Sequence, residues 1–266
     1  MEKLFTLITG GSMGIGKALA TECAKRGMNI AIAALPGPEL EATAAGIAEE
    51  YGVDVKHYAV DLTLPDGPEK VLDWCREQNI GVDFLINNAG IAGAKAFEDS
   101  SPAYLDTRIM LNIRALVMLT RLFIPELRKH KGSKILNLGS ISAYYALPYK
   151  SIYAASKAFV VSFSKSLAFE LENSGIQVSV VCPNGVKSNS TSSARINTHS
   201  FMGELVSTET DELARYTLDR VEKGKRVIIP LLANRILLFI TRLIPEGLLI
   251  RMSAKEFSKE LKYQEL

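Results

Sequence analysis

The chain has 266 residues, 47% of them hydrophobic and 23% charged, and its 31 basic and 29 acidic side chains leave a net charge of +2. That composition can fill a sizeable core and excludes a disordered chain, and the near-balance of charge gives no basis for nucleic-acid binding. Cys23, Cys75 and Cys182, like His57, His130 and His199, are scattered without ligand spacing, so neither a disulfide framework nor a metal site is expected.

"LFTLITG" near the start reads as a strand, followed by a helix through "GKALATECAKRG". The start lacks the basic lead and long apolar stretch of a secretory signal, which predicts a cytoplasmic protein. "NIAIAAL" and "VKHYAVDL" are further strands, followed by helices around "ELEATAAGIAEEYG" and "GPEKVLDWCREQN". "VDFLINNAG" is a fourth strand, and a long helix is expected over about residues 102–130. "SKILNLGS" is a fifth strand, the helix through "SIYAASKAFVVSFSKSLAFEL" comes next, and "IQVSVVCP" is a sixth. A helix near residues 209–223 precedes "RVIIP", the seventh.

Short apolar runs without alternation suit strands covered on both faces. Regular alternation with helices predicts an α/β fold: a Rossmann-type, doubly wound, seven-stranded parallel sheet flanked by helices. Residues 1–230 form this domain in our reading, and residues 231–266 form an amphipathic extension packed on it. Ligands in such sheets bind beyond the carboxyl ends of the strands. The segments just after the strands are therefore the candidates for a site.

"TGGSMGIG" follows the first strand and opens the first helix. Gly10, Gly14 and Gly16 let the backbone turn tightly and approach a ligand, and the helix start offers free N–H groups to a pyrophosphate. Ser12, Met13 and Ile15 lie in the same loop. Asp61, next to Leu62, can accept from an adenine amino group or simply cap the next element. In "NNAG", two amides, Asn88 among them, can tie strand ends together, while Ala89 and Gly90 keep the floor low for a ribose. Ser140 ends the fifth strand. Tyr153 and Lys157 stand one helical turn apart, a spacing that by itself fits a solvated stripe more readily than a reacting pair.

Taken together, "TGGSMGIG", Asp61, "NNAG", Asn112 in "MLNIRA", Ser140 and the Tyr153-x-x-x-Lys157 pattern resemble the single-domain short-chain dehydrogenases/reductases over residues 4 to about 230. The resemblance implies a nicotinamide dinucleotide and a tetrad of Asn112, Ser140, Tyr153 and Lys157. A free phenol titrates near about 10, and a neighbouring ammonium favours its ionised form, which suits Tyr153 to proton exchange with a ketone or alcohol oxygen. By the resemblance, Lys157 also holds the nicotinamide ribose, Ser140 bonds the substrate oxygen, and Asn112 positions a water leading to Lys157. Pro183, Val186 and Ser188 complete the expected cofactor contacts.

Two departures from the family pattern stand out. Asn184 replaces the usual glycine after Pro183, and asparagine tolerates the left-handed backbone such a turn can need. The second strand ends in Ala-Ala-Leu35-Pro, without the acid that accepts from an adenosine 2′-hydroxyl and without a basic residue for a 2′-phosphate. Lacking a repelling carboxylate, the chain is expected to favour NADP(H) over NAD(H).

Residues 187–205 read as a polar lid, with Tyr144, Leu147 and Tyr149 shaping the pocket. The apolar tail, interrupted by Arg235, Arg242, Pro245 and Arg251, fails as a membrane span. Short helices broken at Pro245 are expected there, covering a lipophilic substrate, lying on a membrane or packing on another subunit. The reading is thus an oxidoreductase acting on a ketone/secondary-alcohol pair, steroid-, acyl- or lipid-like, in a homo-oligomer (dimer or tetramer). A cofactor-binding regulatory protein has no need for Tyr153 and Lys157 together, and extended-type epimerases or dehydratases usually need a longer C-terminal domain.

Overall fold

The structure, a computed structural model, describes residues 3–187 and 207–262. Strands β1 (Leu4–Thr9), β2 (Asn29–Ala34), β3 (Val55–Ala59), β4 (Gly81–Asn87), β5 (Lys134–Leu138) and β6 (Gln177–Val181) alternate with helices. Those helices are α1 (Gly14–Lys25), α2 (Pro38–Tyr51), α3 (Gly67–Glu77), α4 (Pro102–Ile109), α5 (Leu116–Leu127) and α6 (Ser151–Glu170). Two-residue strands β7 (Val186–Lys187) and β8 (Thr208–Glu209) pair with each other, then come α7 (Thr210–Glu222) and β9 (Val227–Ile228). The tail folds as α8 (Leu232–Thr241) and α9 (Glu246–Lys262).

The main sheet is parallel throughout and runs β3-β2-β1-β4-β5-β6-β9. Chain order reverses between β1 and β4, which makes the crevice above their carboxyl ends the expected ligand site. The central strands are apolar and buried on both faces, as their unalternating sequences require. Edge strand β3 is the exception; its residues are half-buried or exposed. The seventh strand is the short edge piece β9, whose Val227 and Ile228 pair with Val180 and Val181.

The long helix expected over 102–130 is not uniform. Between α4 and α5, residues Met110–Ala115 form a π-helical turn with Asn112 at its centre. A π turn inserts one residue into the helical ladder and re-aims the side chains beside it. Here it turns Asn112 inward, where its amide binds both polar groups of the Ile91 backbone: Oδ1 accepts from N at 2.8 Å and Nδ2 donates to O at 3.0 Å. The helix irregularity is thus fixed by a partner twenty-one residues away in sequence.

Arg26 at the end of α1 donates to Glu22 and, on α7, to Asp219 and Glu222, each at 2.7 Å. This network clamps the helix that follows the glycine loop. In the tail, α8 is inside-out for a helix packed on a water-soluble domain. Its inward residues are Asn234 and Leu238, while Leu232, Ile236, Phe239 and Ile240 face out, Phe239 being 64% exposed. Asn234 is held by Asn184, whose Nδ2 donates to Asn234 Oδ1 at 3.0 Å, and itself donates to Pro230 O at 3.1 Å. The chain breaks at Pro245 as expected, with Pro245 O accepting from Leu248 N and Leu249 N at the start of α9. Among the described residues, no helix is long and apolar enough to cross a membrane.

Candidate active site

The loop after β1 is built to leave space. Gly10 and Gly14 have φ of 63° and 56°, a region costly for other residues. A Cβ on Gly16 would lie 2.1 Å from the Gly10 carbonyl oxygen and 2.5 Å from Asn88 Nδ2. Asn88 Nδ2 in turn donates to the carbonyls of Thr9 and Gly10, at 2.9 and 3.0 Å. Thr9 Oγ1 receives the N–H groups of Asn88 and Ala89, both at 3.0 Å. The ends of β1 and β4 are therefore laced together across the switch point. Thr43 of α2 braces the loop from behind by donating to Ser12 O at 2.9 Å.

Met13 caps α1 with an extended backbone and no side-chain bond, so the helix start is unobstructed. Such a start, with its free N–H groups and dipole, fits a pyrophosphate. Ile15 packs into the core behind the loop. Met13 and Leu35 are 54% and 61% exposed. Asp61 Oδ1 is taken by Thr63, accepting from N at 2.8 Å and Oγ1 at 2.7 Å, so its capping role is filled by that oxygen. Leu62 is buried beside it.

The expected tetrad converges on the crevice. Ser140 follows β5 and opens a short 3-10 turn, Ile141–Tyr144; its Oγ accepts from Ser142 N at 3.1 Å and from Ser142 Oγ at 2.7 Å. The half-buried Tyr153 phenol hydrogen-bonds with the side chains of Ser140 and Ser142. Burial pushes this phenol up from its ordinary value, and the two serines pull it partly back. Lys157, only 7% exposed, donates from Nζ to Leu138 O at 2.7 Å and lies 5.9 Å from the Tyr153 ring centroid. Burial lowers its ammonium to about 8, against a smaller opposing effect of Cys182. Gly90 stands between these groups; a Cβ there would be 3.1 Å from Asn112 Oδ1 and 3.5 Å from Lys157 Nζ. Asn112 Nδ2 also reaches Ser156 Oγ at 3.2 Å, linking it to the Tyr153 helix.

The electrostatics differ from the simple expectation in one respect. In this arrangement burial governs the phenol, and Lys157 is turned to a backbone carbonyl.

Pro183 closes the site behind Ser140, its carbonyl accepting from Ile141 N at 2.9 Å. Val186 packs against the α1 side of the core. Asn184 does not have the left-handed backbone anticipated for it. Its side chain serves a longer-range purpose, the bond to Asn234 of α8, which a glycine could not make. Ser188, and the expected lid beyond Lys187, lie outside the described residues. Of the pocket-shaping residues, Leu147 is buried, Tyr144 approaches Cys182 Sγ at 3.8 Å, and Tyr149 holds an unusual φ of 65° beside Tyr153.

Sequence reading overlooked Thr9 and Ser142. The signal for Ser142 was present: a serine two residues after a strand-end serine is the spacing of a hydroxyl turn.

Glycine loop, switch point and converging Ser, Tyr and Lys thus meet in one crevice at the carboxyl ends of the strands of a doubly wound α/β sheet. A family profile described as short chain dehydrogenase matches residues 5–199, and the chain belongs to the short-chain dehydrogenase/reductase family. It is 34% identical over 191 residues to the very-long-chain 3-oxoacyl-CoA reductase of Anas platyrhynchos, an alignment covering 67% of this chain and 58% of the relative. The chain thus spans less than two thirds of the length of that reductase. It is 31% identical over 243 residues to the human 17-beta-hydroxysteroid dehydrogenase type 3, covering 91% of this chain and 75% of the relative. Among solved structures it resembles a short-chain dehydrogenase from Sphingobium yanoikuyae in complex with NADPH, at 33% identity and a TM-score of 0.77. That match covers 92% of this chain and 94% of the other.

Proposed function

We propose that this protein is a nicotinamide-dependent reductase of a lipophilic ketone, with Ser140, Tyr153, Lys157 and Asn112 as its working residues. The observation that carries this reading is the placement of the serine-bonded Tyr153 beside Lys157, at the mouth of a glycine-lined crevice. When bound, the dinucleotide supplies the hydride. The protein's own part is to hold the ketone oxygen with Ser140 and to pass it the Tyr153 phenolic proton as charge develops there. Among the described residues, Lys157 is the buried cation close enough to support the phenol after it has given up that proton and to hold a ribose hydroxyl. Asn112, tied to Ile91 and Ser156, orders the route by which Lys157 is resupplied.

NADPH is the expected partner. The exposed Leu35 offers no carboxylate against a 2′-phosphate, and the Sphingobium relative is described with NADPH. A panel of ketones tested with both cofactors, following nicotinamide absorbance, tests the activity. Fluorescence titration should give tighter binding of NADPH than NADH, and Leu35→Asp should reverse the order by repelling the phosphate. Tighter NADH binding by the unaltered protein would sink the cofactor assignment.

The exposed apolar stripe of α8, continued by Leu243, Leu248 and Met252, supports a peripheral membrane contact. Arg235, Arg242 and Arg251 flank it, a pattern suited to an anionic bilayer surface. Because Asn184 clasps Asn234, deleting the tail would disturb the site itself. The sharper test keeps the chain whole: binding to phosphatidylserine vesicles should be lost in Ile236→Glu/Phe239→Glu. If the unaltered chain ignores such vesicles and the double variant changes the subunit count, the face is a contact between copies.

A further inference from the structure

Helix α8 is placed by a polar contact, against the preference of its apolar side chains. Ile236, Phe239 and Ile240 face out, and the fully buried amide of Asn234 faces in. Burying an amide is costly unless its bonds are made. Asn234 Nδ2 donates to Pro230 O at 3.1 Å, which leaves Oδ1 to accept from Asn184 Nδ2 at 3.0 Å. Leu231, just ahead of the helix, has a φ of 61°, a left-handed backbone that a bulky residue adopts only at a cost. That turn sets the direction in which α8 starts. A buried amide, an outward apolar face and a left-handed leucine thus all accompany one bond, made across fifty residues of chain.

The other end of that bond adjoins the reacting groups. Asn184 follows Pro183, whose carbonyl accepts from Ile141 N at 2.9 Å and lies 3.5 Å from Ser140 Oγ. A hydroxyl bonds best at about 2.7–2.8 Å, so at 3.5 Å Pro183 O holds the Ser140 proton only weakly. Ser140 Oγ already accepts from Ser142 N and Ser142 Oγ. Its own proton is what it can offer to Tyr153 or to an incoming ketone oxygen. Were Pro183 to move closer, its carbonyl would take that proton. Were it to withdraw, Ile141 would lose its bond and the turn that carries Ser142 would loosen. α8 lies against this same turn, Ile141–Tyr144. On the far side of Asn184, Gly185 O accepts from Thr208 N at 3.0 Å, so the loop is braced at both ends.

We propose that Asn184 and Asn234 are positioning residues for Ser140: their clasp uses α8 to fix the Pro183 carbonyl, and through it the Ser140 hydroxyl and the Ser142 turn. This role rests on the reductase reading for what Ser140 does, but the clasp itself can be tested without turnover. Asn184→Gly opens it from the loop side. Asn234→Leu opens it from the helix side, with an apolar group of similar shape that suits a buried position. Amide hydrogen exchange is read first, on the ligand-free chain. In each variant the N–H groups of Ile141 and Ser142 should exchange about fivefold faster or more, while those of Leu85 and Ile86 in β4 keep their protection. Next, protein saturated with NADPH is given a ketone that the unaltered chain reduces. Each variant should lose about tenfold in kcat, with KM changed less than about threefold, because a misplaced Ser140 acts on the transition state. The double variant should lose no more than the worse single one, since both open the same bond. Unchanged exchange at Ile141 and Ser142 overturns the proposal, as does faster exchange everywhere, β4 included, which would make the clasp a general brace. Unchanged kcat, or losses that multiply in the double variant, overturns it too. If the unaltered chain reduces no ketone, the reductase reading fails and the exchange pattern alone decides the clasp.

Discussion

Tyr153→Phe should lower ketone reduction by about a hundredfold or more, the usual scale of a lost general acid, while cofactor affinity stays nearly unchanged. The substitution removes only the hydroxyl that bonds with Ser140 and Ser142. The ring and its packing remain. Lys157→Ala should instead damage turnover and cofactor binding together, because in the proposed reading its ammonium serves both. Steady-state kinetics with parallel cofactor titrations separate the two patterns. More than about a tenth of the activity left in Tyr153→Phe would remove the phenol from the mechanism.

Gly16→Ala should abolish tight cofactor binding and destabilise the fold, although it adds one methyl group. The new Cβ would sit 2.1 Å from Gly10 O, a backbone atom that cannot swing aside, and 2.5 Å from the amide that laces β4 to the loop. Relieving that contact means opening the loop. Overpacking of this kind costs roughly 1–3 kcal/mol or more. A cofactor affinity at least about tenfold weaker and a lower melting temperature are expected together. Gly46→Ala is the matched control. Gly46 lies in α2 with nothing within 4 Å of its added Cβ, so the change should be neutral or stabilising by about 0.5–1 kcal/mol. If the two variants melt alike, the tight packing at Gly16 is not what matters there.

The sheet was legible because its determinants are local. Runs such as "LFTLIT" and "NIAIAA" have one reading when helices follow each of them, and their order fixes the switch point. The candidate site was legible for the same reason, since its residues sit at strand ends or one helical turn apart. What escaped depends on partners distant in sequence. The π-helical turn at Asn112 is held by Ile91, and no helix-propensity argument along Met110–Ala115 contains that contact. Asn184 was assigned a backbone role because its neighbours suggest a turn, whereas its amide is engaged fifty residues on. The burial of Lys157 likewise follows from what packs over it. From spacing alone, its charge should act on Tyr153; in the folded chain Leu138 O receives it first.

That last feature ties function to survival of the protein. Moving an ammonium from 10.5 to about 8 corresponds to a cost on the order of 3 kcal/mol. Below pH 8 the folded and unfolded chains both carry this proton, so the whole cost stands at neutral pH. Between about 8 and 10.5 only the unfolded chain keeps it, and stability climbs with pH through that window. A domain with 5–15 kcal/mol in hand gives up a noticeable share of its margin to one side chain. Any ligand that offers the ammonium hydrogen bonds offsets part of that share. Newly made chains that have not met a dinucleotide would then be the ones most exposed to proteases, and the supply of cofactor would help set how much of the protein a cell retains.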